Sequence, residues 1–231
     1  MIINDLVMLG KSVPEPTNER LEHYVCSAGV SAEHGLIRLY PLGLQGTPRR
    51  WSVIRVPVER KPGDSRPETW TPIGAPLVVG ALCSDDRLGA IDRFTVSGVV
   101  EANERRLSLA IVRPHDARFY LDGKDHPEEP TYRLYGSNDE VLKARERFAH
   151  TPRVEFMTED GRSHKLQVRD WGVWELMRKY HARLADMSFP RREEYVGGAL
   201  HGLTPDTRLF IGNFANHRTS WMIISVINPP K

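Results

Sequence analysis

Short segments in which apolar and polar side chains alternate recur along the chain, and they predict a protein built mainly from antiparallel strands. The clearest pair is Tyr24–Val30 and Leu36–Tyr40, with Gly35 between them able to adopt the positive φ of a hairpin turn. Because side chains on a strand alternate between two faces, Arg38 and Tyr40 share the face opposite the apolar side chains of the second strand. We expect this face to carry polar chemistry.

Other strands are predicted from the same alternation or from short apolar runs bounded by turn residues. They are Ile2–Leu9, Trp51–Glu59, Ala75–Cys83, Phe94–Val100, Arg106–Arg113, Arg153–Met157, His164–Val168, Arg208–Gly212 and Trp221–Ile227. Phe94–Val100 and Arg106–Arg113 alternate clearly and predict one hairpin, and the turn sequence Glu159–Arg162 predicts another. The polar segment Pro114–Pro130 is predicted to be a long loop, with Phe119–Leu121 docked within it or forming an edge strand.

Two helices are predicted, one long and one short. Asp170 caps the long helix, Trp171–Met187, in which apolar side chains recur at helical spacing. Ser137 and Glu140 form a capping box, in which each side chain satisfies a free backbone amide, at the start of the short helix over about 138–149.

The composition is that of an ordinary globular protein. The 231 residues are 40% hydrophobic and 27% charged, which is enough apolar material for a substantial core. We expect one compact domain over 1–231, with a subdivision into a β-barrel (1–135) and a helix-containing β part (136–231) left open. Gly197 and Gly198 are predicted to begin a flexible link. The predicted fold class is α+β, rich in mostly antiparallel, barrel-like sheet.

The net charge of +2 is only mildly basic, so it permits a nucleic-acid partner without requiring one. The distribution of charge is more informative, because basic residues concentrate between positions 49 and 66, where only Glu59 and Asp64 oppose them. These basic residues are Arg49, Arg50, Arg55, Arg60, Lys61 and Arg66.

The two cysteines, Cys26 and Cys83, are far apart and lack the paired ligand spacing of a zinc site, so no metal or cofactor is predicted. The first residues carry Asp5 and no basic segment, which is atypical of a signal peptide. No apolar run approaches the roughly 20 residues that span a bilayer. The sequence therefore predicts a cytoplasmic protein with reduced thiols and no membrane partner.

Three short motifs, Cys26–Gly29, Gly35–Pro41 and Asp64–Glu68, resemble a pattern in small uncharacterised bacterial proteins. They are also similar to the opening of the dual-OB-domain proteins, in which a lysine-bearing loop precedes a Cys-x-Ala-Gly strand and an arginine-bearing strand. The resemblance covers about the first third of the chain. It implies a β-barrel of OB or PUA type and, since OB-folds commonly bind oligonucleotides, it implies a nucleic-acid ligand.

The sequence thus predicts a module that binds single-stranded or unpaired DNA or RNA. Arginines beside aromatic residues on strand faces suit stacking on bases and charge pairing with phosphates, and loop residues add polar contacts. The candidate contacts are Lys11, Arg38, Tyr40, Arg49, Arg50, Arg55, Arg66, Trp70, Asn213, His217 and Arg218. The prediction depends on whether segments 49–70 and 213–220 fold onto the face of Arg38. Otherwise Trp70 anchors a loop and 213–220 is a solvated turn.

Two alternatives remain open. The first is an enzyme acting on a nucleotide or nucleic acid, with His34 or His217 as general acid or base, Arg38 stabilising charge and Glu68 in the same pocket. The sequence contains no familiar catalytic motif, so this alternative is less favoured than nucleic-acid binding. The second is a protein-interaction subunit, with a protein partner or a second copy of the chain, that presents exposed tryptophans at the start of the helix beginning at Trp171.

Overall fold

Three β-sheets and four α-helices form the part of the chain that the computed structural model describes, which is residues 1–13, 15–16, 23–43, 47–123, 150–179, 187–199 and 203–228. The strands are β1 (Ile2–Lys11), β2 (Glu15–Pro16), β3 (His23–Ser31), β4 (Gly35–Gly43), β5 (Ser52–Arg60), β6 (Thr69–Pro72), β7 (Leu77–Ala81), β8 (Thr95–Val96), β9 (Leu109–Val112), β10 (His115–Gly123), β11 (His150–Met157), β12 (Ser163–Gln167), β13 (Arg208–Asn213) and β14 (Trp221–Ile227). The helices are α1 (Arg87–Asp92), α2 (Val99–Glu104), α3 (Trp171–Lys179) and α4 (Phe189–Ala199). The predicted β-rich α+β class is confirmed.

Five strands of the first sheet close into a barrel. β1 pairs antiparallel with β3 and with β5, and β3 pairs antiparallel with β4. β6 closes the ring, because it runs parallel to β4 on one side and antiparallel to β5 on the other. The predicted hairpin is confirmed as β3–β4, and Gly35 has a φ of 76° at its turn. The barrel core is fully apolar: Ile3, Leu6, Met8, Ile37, Leu39, Ile54, Val56 and Val58.

The second sheet, in the order β14-β13-β9-β8, packs against the barrel. Phe210 and Ile224 share an apolar cluster with Leu9 and Ala28 of the barrel strands. The neighbouring residue Ile211 lies in a different cluster, as expected for adjacent positions on a strand. β13 is therefore buried on both faces and forms the middle layer of the fold.

The third sheet, β10-β11-β12, covers the other face of this middle layer together with α3 and α4. Phe156 of β11, Val173 of α3 and Val196 of α4 lie in one buried cluster with Ile211. The predicted hairpin around Glu159–Arg162 is confirmed as β11–β12. Within the described residues, no helix is both long enough and apolar enough to cross a membrane.

The predicted hairpin of Phe94–Val100 and Arg106–Arg113 is wrong. Residues 99–104 form α2, and β8 pairs with β9 in parallel. The Glu101 carboxylate accepts hydrogen bonds from the backbone and hydroxyl of Ser97 and pairs with Arg105 one turn later. These local bonds favour a helix even though the apolar residues alternate as they would on a strand.

The flexible link predicted at Gly197 and Gly198 is also wrong, because both glycines lie inside α4. A Cβ at Gly197 would approach the Phe119 ring to 3.3 Å, so the glycine allows close packing of α4 on β10. β10 occupies the first part of the loop predicted over Pro114–Pro130 and contains Phe119–Leu121, which confirms the edge-strand alternative; residues 124–130 lie outside the described residues.

The helix prediction is confirmed in part. α3 begins at Trp171 as predicted, and the Asp170 carboxylate accepts a 2.7 Å hydrogen bond from the Gly172 amide. Positions 180–186 and the predicted short helix at 138–149 lie outside the described residues. α4 was not predicted.

Candidate functional site

A cavity of about 450 Å³ lies on the outer face of β3 and β4. Two loops flank it. The basic loop is defined here as residues 61–66, between β5 and β6, and the hairpin loop as residues 213–218, from the last residue of β13 toward β14. The base of the cavity is buried and combines Arg38, Arg169 and Asn213 with the apolar Ile224. The geometric condition set by the sequence is met in part, since residues from 61–66 and 213–217 line the same cavity as Arg38 whereas 49–60 and 67–70 do not.

The outer face of the β3–β4 hairpin supplies one wall. Arg38 and Tyr40 lie two residues apart on β4 and both line the cavity, as the alternation of side chains predicts. Tyr24 and Cys26 lie two residues apart on β3 and line it as well. The wall therefore presents two tyrosines, a thiol and an arginine.

Arg38 is only 1% exposed, and its guanidinium joins the barrel to the second sheet. Nη2 donates to the Ser108 carbonyl at 2.7 Å, and Nη1 donates to the Ser108 hydroxyl at 2.9 Å and to Thr69 Oγ1 at 3.4 Å. In the described residues Nε has no hydrogen-bond partner. Burial lowers the pKa of Arg38, and the nearby Cys26 opposes that shift. An arginine remains charged under these conditions, so Arg38 keeps a positive charge at the base of the cavity.

Reciprocal arginine contacts hold the basic loop and the hairpin loop together. Arg66 Nη1 donates to the Asn213 carbonyl at 3.3 Å, and Arg218 Nη1 donates to the Ser65 carbonyl at 3.0 Å. Arg66 also binds both oxygens of Asp64, with distances of 2.9 Å and 2.6 Å. The mouth of the cavity is thus organised by hydrogen bonds between the two loops.

The Asp64–Arg66 pair sets the electrostatics of the basic loop. Burial by itself raises the pKa of Asp64, but hydrogen bonds from Arg66 and the nearby cationic charges outweigh it and lower that pKa to about 2. Because the pKa is lower in the folded protein than the ordinary 3.8, this pair stabilises the fold above about pH 4. The contribution is lost as the pH falls from about 4 to about 2.

We expect Asp64→Asn to lower the free energy of unfolding by about 2 kcal/mol at pH 7, because a shift of nearly two pKa units corresponds to about that energy. The difference between variant and parent should shrink as the pH falls from about 4 through about 2, because Asp64 becomes protonated in both states only below its folded-state pKa. Urea unfolding at pH 7 and pH 2.5 checks this. Asp86→Asn, on an exposed turn, is the matched control and should change stability at neither pH. An Asp64→Asn effect that is the same at both pH values would contradict the account.

Positive charge dominates the lining. Among the described lining residues, four cationic side chains, Arg38, Lys61, Arg66 and Arg169, accompany one carboxylate, that of Asp64. The Lys61 ammonium lies 4.2 Å from the centre of the Tyr40 ring. A cavity of this kind attracts anions.

Three aromatic rings line the same space, those of Tyr24, Tyr40 and Phe214, and all three are partly exposed. Asn213 is 1% exposed, and its Nδ2 donates to the carbonyls of Leu107 and Arg218. Its Oδ1 lacks a hydrogen-bond partner among the described residues. Cations, flat aromatic surfaces and a fixed amide are together suited to a ligand that carries both an anionic group and a planar ring.

Two family models match different parts of the chain, and each matched part contributes residues to the cavity. A family model described as Domain of unknown function (DUF8757) matches residues 94–231. The chain belongs to the DUF8757 family. Residues 3–88 match a second model, Domain of unknown function (DUF8758). No curated protein and no solved structure matches the chain.

The cavity is built from both matched regions. The DUF8758 match contains the β3–β4 wall and the basic loop, and the DUF8757 match contains Arg169 and the hairpin loop. The two matches meet near residues 89–93, whereas the subdivision left open from the sequence lies at 135. An apolar cluster containing Ala28 and Phe210 spans both matches, so they share a core.

Five of the eleven residues predicted to contact nucleic acid line the cavity. They are Arg38, Tyr40, Arg66, Asn213 and His217. Arg218 lies beside it and binds the backbone of the basic loop and the carbonyl of Arg106. His217 is exposed at the rim.

The other five predicted contacts lie elsewhere. Arg50 donates to Asp170 and to the Val226 carbonyl, Arg55 is exposed on β5, and the Trp70 ring lies under Arg60. Arg49 is exposed and does not line the cavity. Lys11 at the end of β1 is not part of the lining either.

The residues proposed for catalysis are not gathered at one point. His34 lies in the β3–β4 turn with Glu33, outside the lining. The Glu68 carboxylate accepts hydrogen bonds from the amide and the hydroxyl of Ser108 and is also outside the lining. Of the proposed set, only Arg38 and His217 line the cavity.

Several lining residues were not predicted from the sequence. Tyr24 and Cys26 were identifiable in principle, because a spacing of two on the predicted strand places both on one face. Lys61 and Asp64 were noted only for their charge. Arg169 carried no local signal, because its position depends on the pairing of distant segments. In the described residues, no group of three His, Cys, Asp or Glu side chains could hold a metal ion.

Proposed function

We propose that the chain binds single-stranded or unpaired nucleic acid, DNA or RNA, by accepting a nucleotide into the cavity on the β3–β4 face. The observation that carries this proposal is the composition of the lining, in which four cations and three aromatic rings surround about 450 Å³. Phosphates pair with cations, and bases stack on aromatic rings without regard to sequence.

The position of the cavity on the barrel supports the same function. Counted along the barrel alone, β1, β3, β4, β5 and β6 are strands one to five. The cavity then uses the face of strands two and three, the loop between strands four and five, and Ser12 after strand one. OB-folds bind oligonucleotides with the face of strands two and three and with these two loops. We therefore propose that the barrel is of OB type, in agreement with the sequence resemblance.

The ligand groups can be assigned to parts of the cavity from their chemistry. Lys61 lies at the mouth, and burial lowers its pKa while Asp64 opposes the shift. We assign Lys61 to a phosphate and the rings of Tyr40 and Phe214 to a base. Arg38 contributes mainly charge, because its two terminal nitrogens are already bonded to Ser108 and Thr69.

The size of the cavity limits how much of a strand it can hold. A volume of about 450 Å³ lies within the range of small-molecule pockets, which suits one or two nucleotides and no more. Affinity for homopolymeric oligonucleotides should therefore rise steeply up to a few nucleotides and then level off. A nucleic-acid ligand also agrees with the cytoplasmic location predicted from the sequence.

We expect Lys61→Ala to weaken binding of a fluorescently labelled single-stranded oligonucleotide by about five- to tenfold at low salt, as loss of one phosphate contact implies. The matched control is Lys165→Ala. Lys165 makes the same type of contact outside the cavity, 4.4 Å from the centre of the Tyr120 ring, and its loss should leave affinity unchanged.

The measurement is fluorescence anisotropy across a salt series, with parallel titrations of single-stranded and duplex DNA and RNA. Log affinity of the parent should fall with log salt, and the slope should be shallower for Lys61→Ala. Equal losses in the two lysine variants would place binding outside the cavity. No binding to any oligonucleotide at low salt would exclude the proposed function.

A further inference from the structure

Cys26 is a partly exposed thiol whose backbone is held firmly at the cavity wall. Its amide donates to Ser12 Oγ at 3.2 Å, and its carbonyl accepts a 2.8 Å hydrogen bond from the Ser12 amide. These bonds join the end of β1 to β3 on both sides of the cysteine. The backbone of Cys26 is therefore held in place, and the residue lines the cavity.

Three cations surround this thiol. They are Arg38, Lys61 and Arg66, and all three line the cavity together with Cys26. Reactive cysteines are found in such partly exposed, electropositive surroundings, because the thiolate is the nucleophile and positive charge stabilises it. The second cysteine differs: Cys83 is exposed and precedes the acidic turn Ser84–Asp86.

Arg38 provides a second observation at the same wall, because the Cys26 side chain lies within hydrogen-bonding reach of its guanidinium. The residue is 1% exposed, and in the described residues its Nε is a buried donor without a hydrogen-bond acceptor. Buried donors are rarely left unsatisfied in native proteins. An anion in the cavity or the ionised sulfur of Cys26 would supply the acceptor.

We propose that Cys26 is a nucleophilic thiol and that the cavity is a modification site for anionic thiol-reactive compounds, with disulfides of acidic thiols as the class of co-reactant. The Cys26 thiolate attacks one sulfur of the disulfide, a new sulfur–sulfur bond forms, and the original one breaks. The departing thiolate takes the electron pair and then a proton from water. Cations in the cavity attract the acidic groups of the reagent and raise its local concentration.

This reaction uses the same cations as the proposed nucleotide site, but it does not depend on nucleic-acid binding. A protein that binds no oligonucleotide could still have a reactive Cys26, and a protein that binds oligonucleotides could have an inert one. The two proposals are therefore tested by separate readouts.

The test compares an anionic and a neutral alkylating reagent on the intact protein. Iodoacetate and iodoacetamide react with thiolates by the same chemistry and differ in charge, so the ratio of their rates reports the local potential. Peptide mass spectrometry resolves Cys26 from Cys83, and the exposed Cys83 serves as an internal control. We expect the iodoacetate-to-iodoacetamide ratio at Cys26 to exceed that at Cys83 by at least about fivefold at low salt, and the excess to fall in high salt.

Lys61→Ala should reduce that excess, whereas Lys165→Ala should not. Incubation with oxidised glutathione, a disulfide that carries carboxylates, should then form a mixed disulfide on Cys26 faster than on Cys83. Equal reagent ratios at the two cysteines, or glutathione found on Cys83 with Cys26 unmodified, would overturn the proposal.

Discussion

Gly29→Ala is expected to destabilise the protein by about 3 kcal/mol or more, because the barrel has no room for a side chain at this position. A Cβ there would lie 2.1 Å from the Val7 carbonyl oxygen and 3.0 Å from the Val7 carbonyl carbon. Both are backbone atoms of β1, so no side chain can rotate away to relieve the clash. β1 and β3 would have to separate where Met8 pairs with Gly29.

Gly80→Ala is the matched control for this effect. Gly80 lies on β7, where an added Cβ would meet nothing within 4 Å. Thermal unfolding followed by circular dichroism should show a midpoint about 6 °C or more lower for Gly29→Ala and nearly unchanged for Gly80→Ala. Similar midpoints for the two variants would contradict the tight β1–β3 approach.

Arg38→Met is expected to cost about 2–4 kcal/mol, because it removes the guanidinium that joins the barrel to the second sheet. Ser108 would lose the donor to its carbonyl, and its hydroxyl and that of Thr69 would each lose a buried partner. Arg38→Lys should restore only part of the stability, since one ammonium cannot reproduce the forked geometry of a guanidinium.

Arg55→Met is the matched control for the arginine. Arg55 is exposed on β5 and should change stability by less than about 0.5 kcal/mol. Urea unfolding of the four proteins gives the comparison directly. If Arg38→Met were as stable as Arg55→Met, the guanidinium would not be the link between the two sheets.

The local parts of the fold could be predicted because the direction of the side chains along a strand repeats every two residues. That period was sufficient to identify the β3–β4 hairpin and to place Arg38 and Tyr40 on one face, where the cavity lies. It failed for α2, where Ser97 and Arg105 bond to Glu101 and favour a helix over the alternating pattern. Side-chain bonds of this kind are not visible in hydrophobic periodicity.

The site itself was only partly predictable, because it depends on pairings between distant segments. The basic loop and the hairpin loop are about 150 residues apart, and they meet because β13 packs against the barrel through residues such as Phe210. Arg50 was predicted as a ligand contact, but it forms an ion pair with Asp170 at 2.7 Å. A basic residue in the sequence does not reveal which acidic residue lies beside it in the fold.

The central claim, that the cavity takes a nucleotide, is tested most directly by photo-crosslinking a single-stranded oligonucleotide that carries 5-iodouracil and mapping the adducts by mass spectrometry. Halogenated bases crosslink to aromatic residues on which they stack, so the account predicts adducts on Tyr24, Tyr40 or Phe214. Lys61→Ala should reduce their yield, and Lys165→Ala should not. Adducts confined to residues outside the cavity, or no adducts at low salt with saturating oligonucleotide, would contradict the claim.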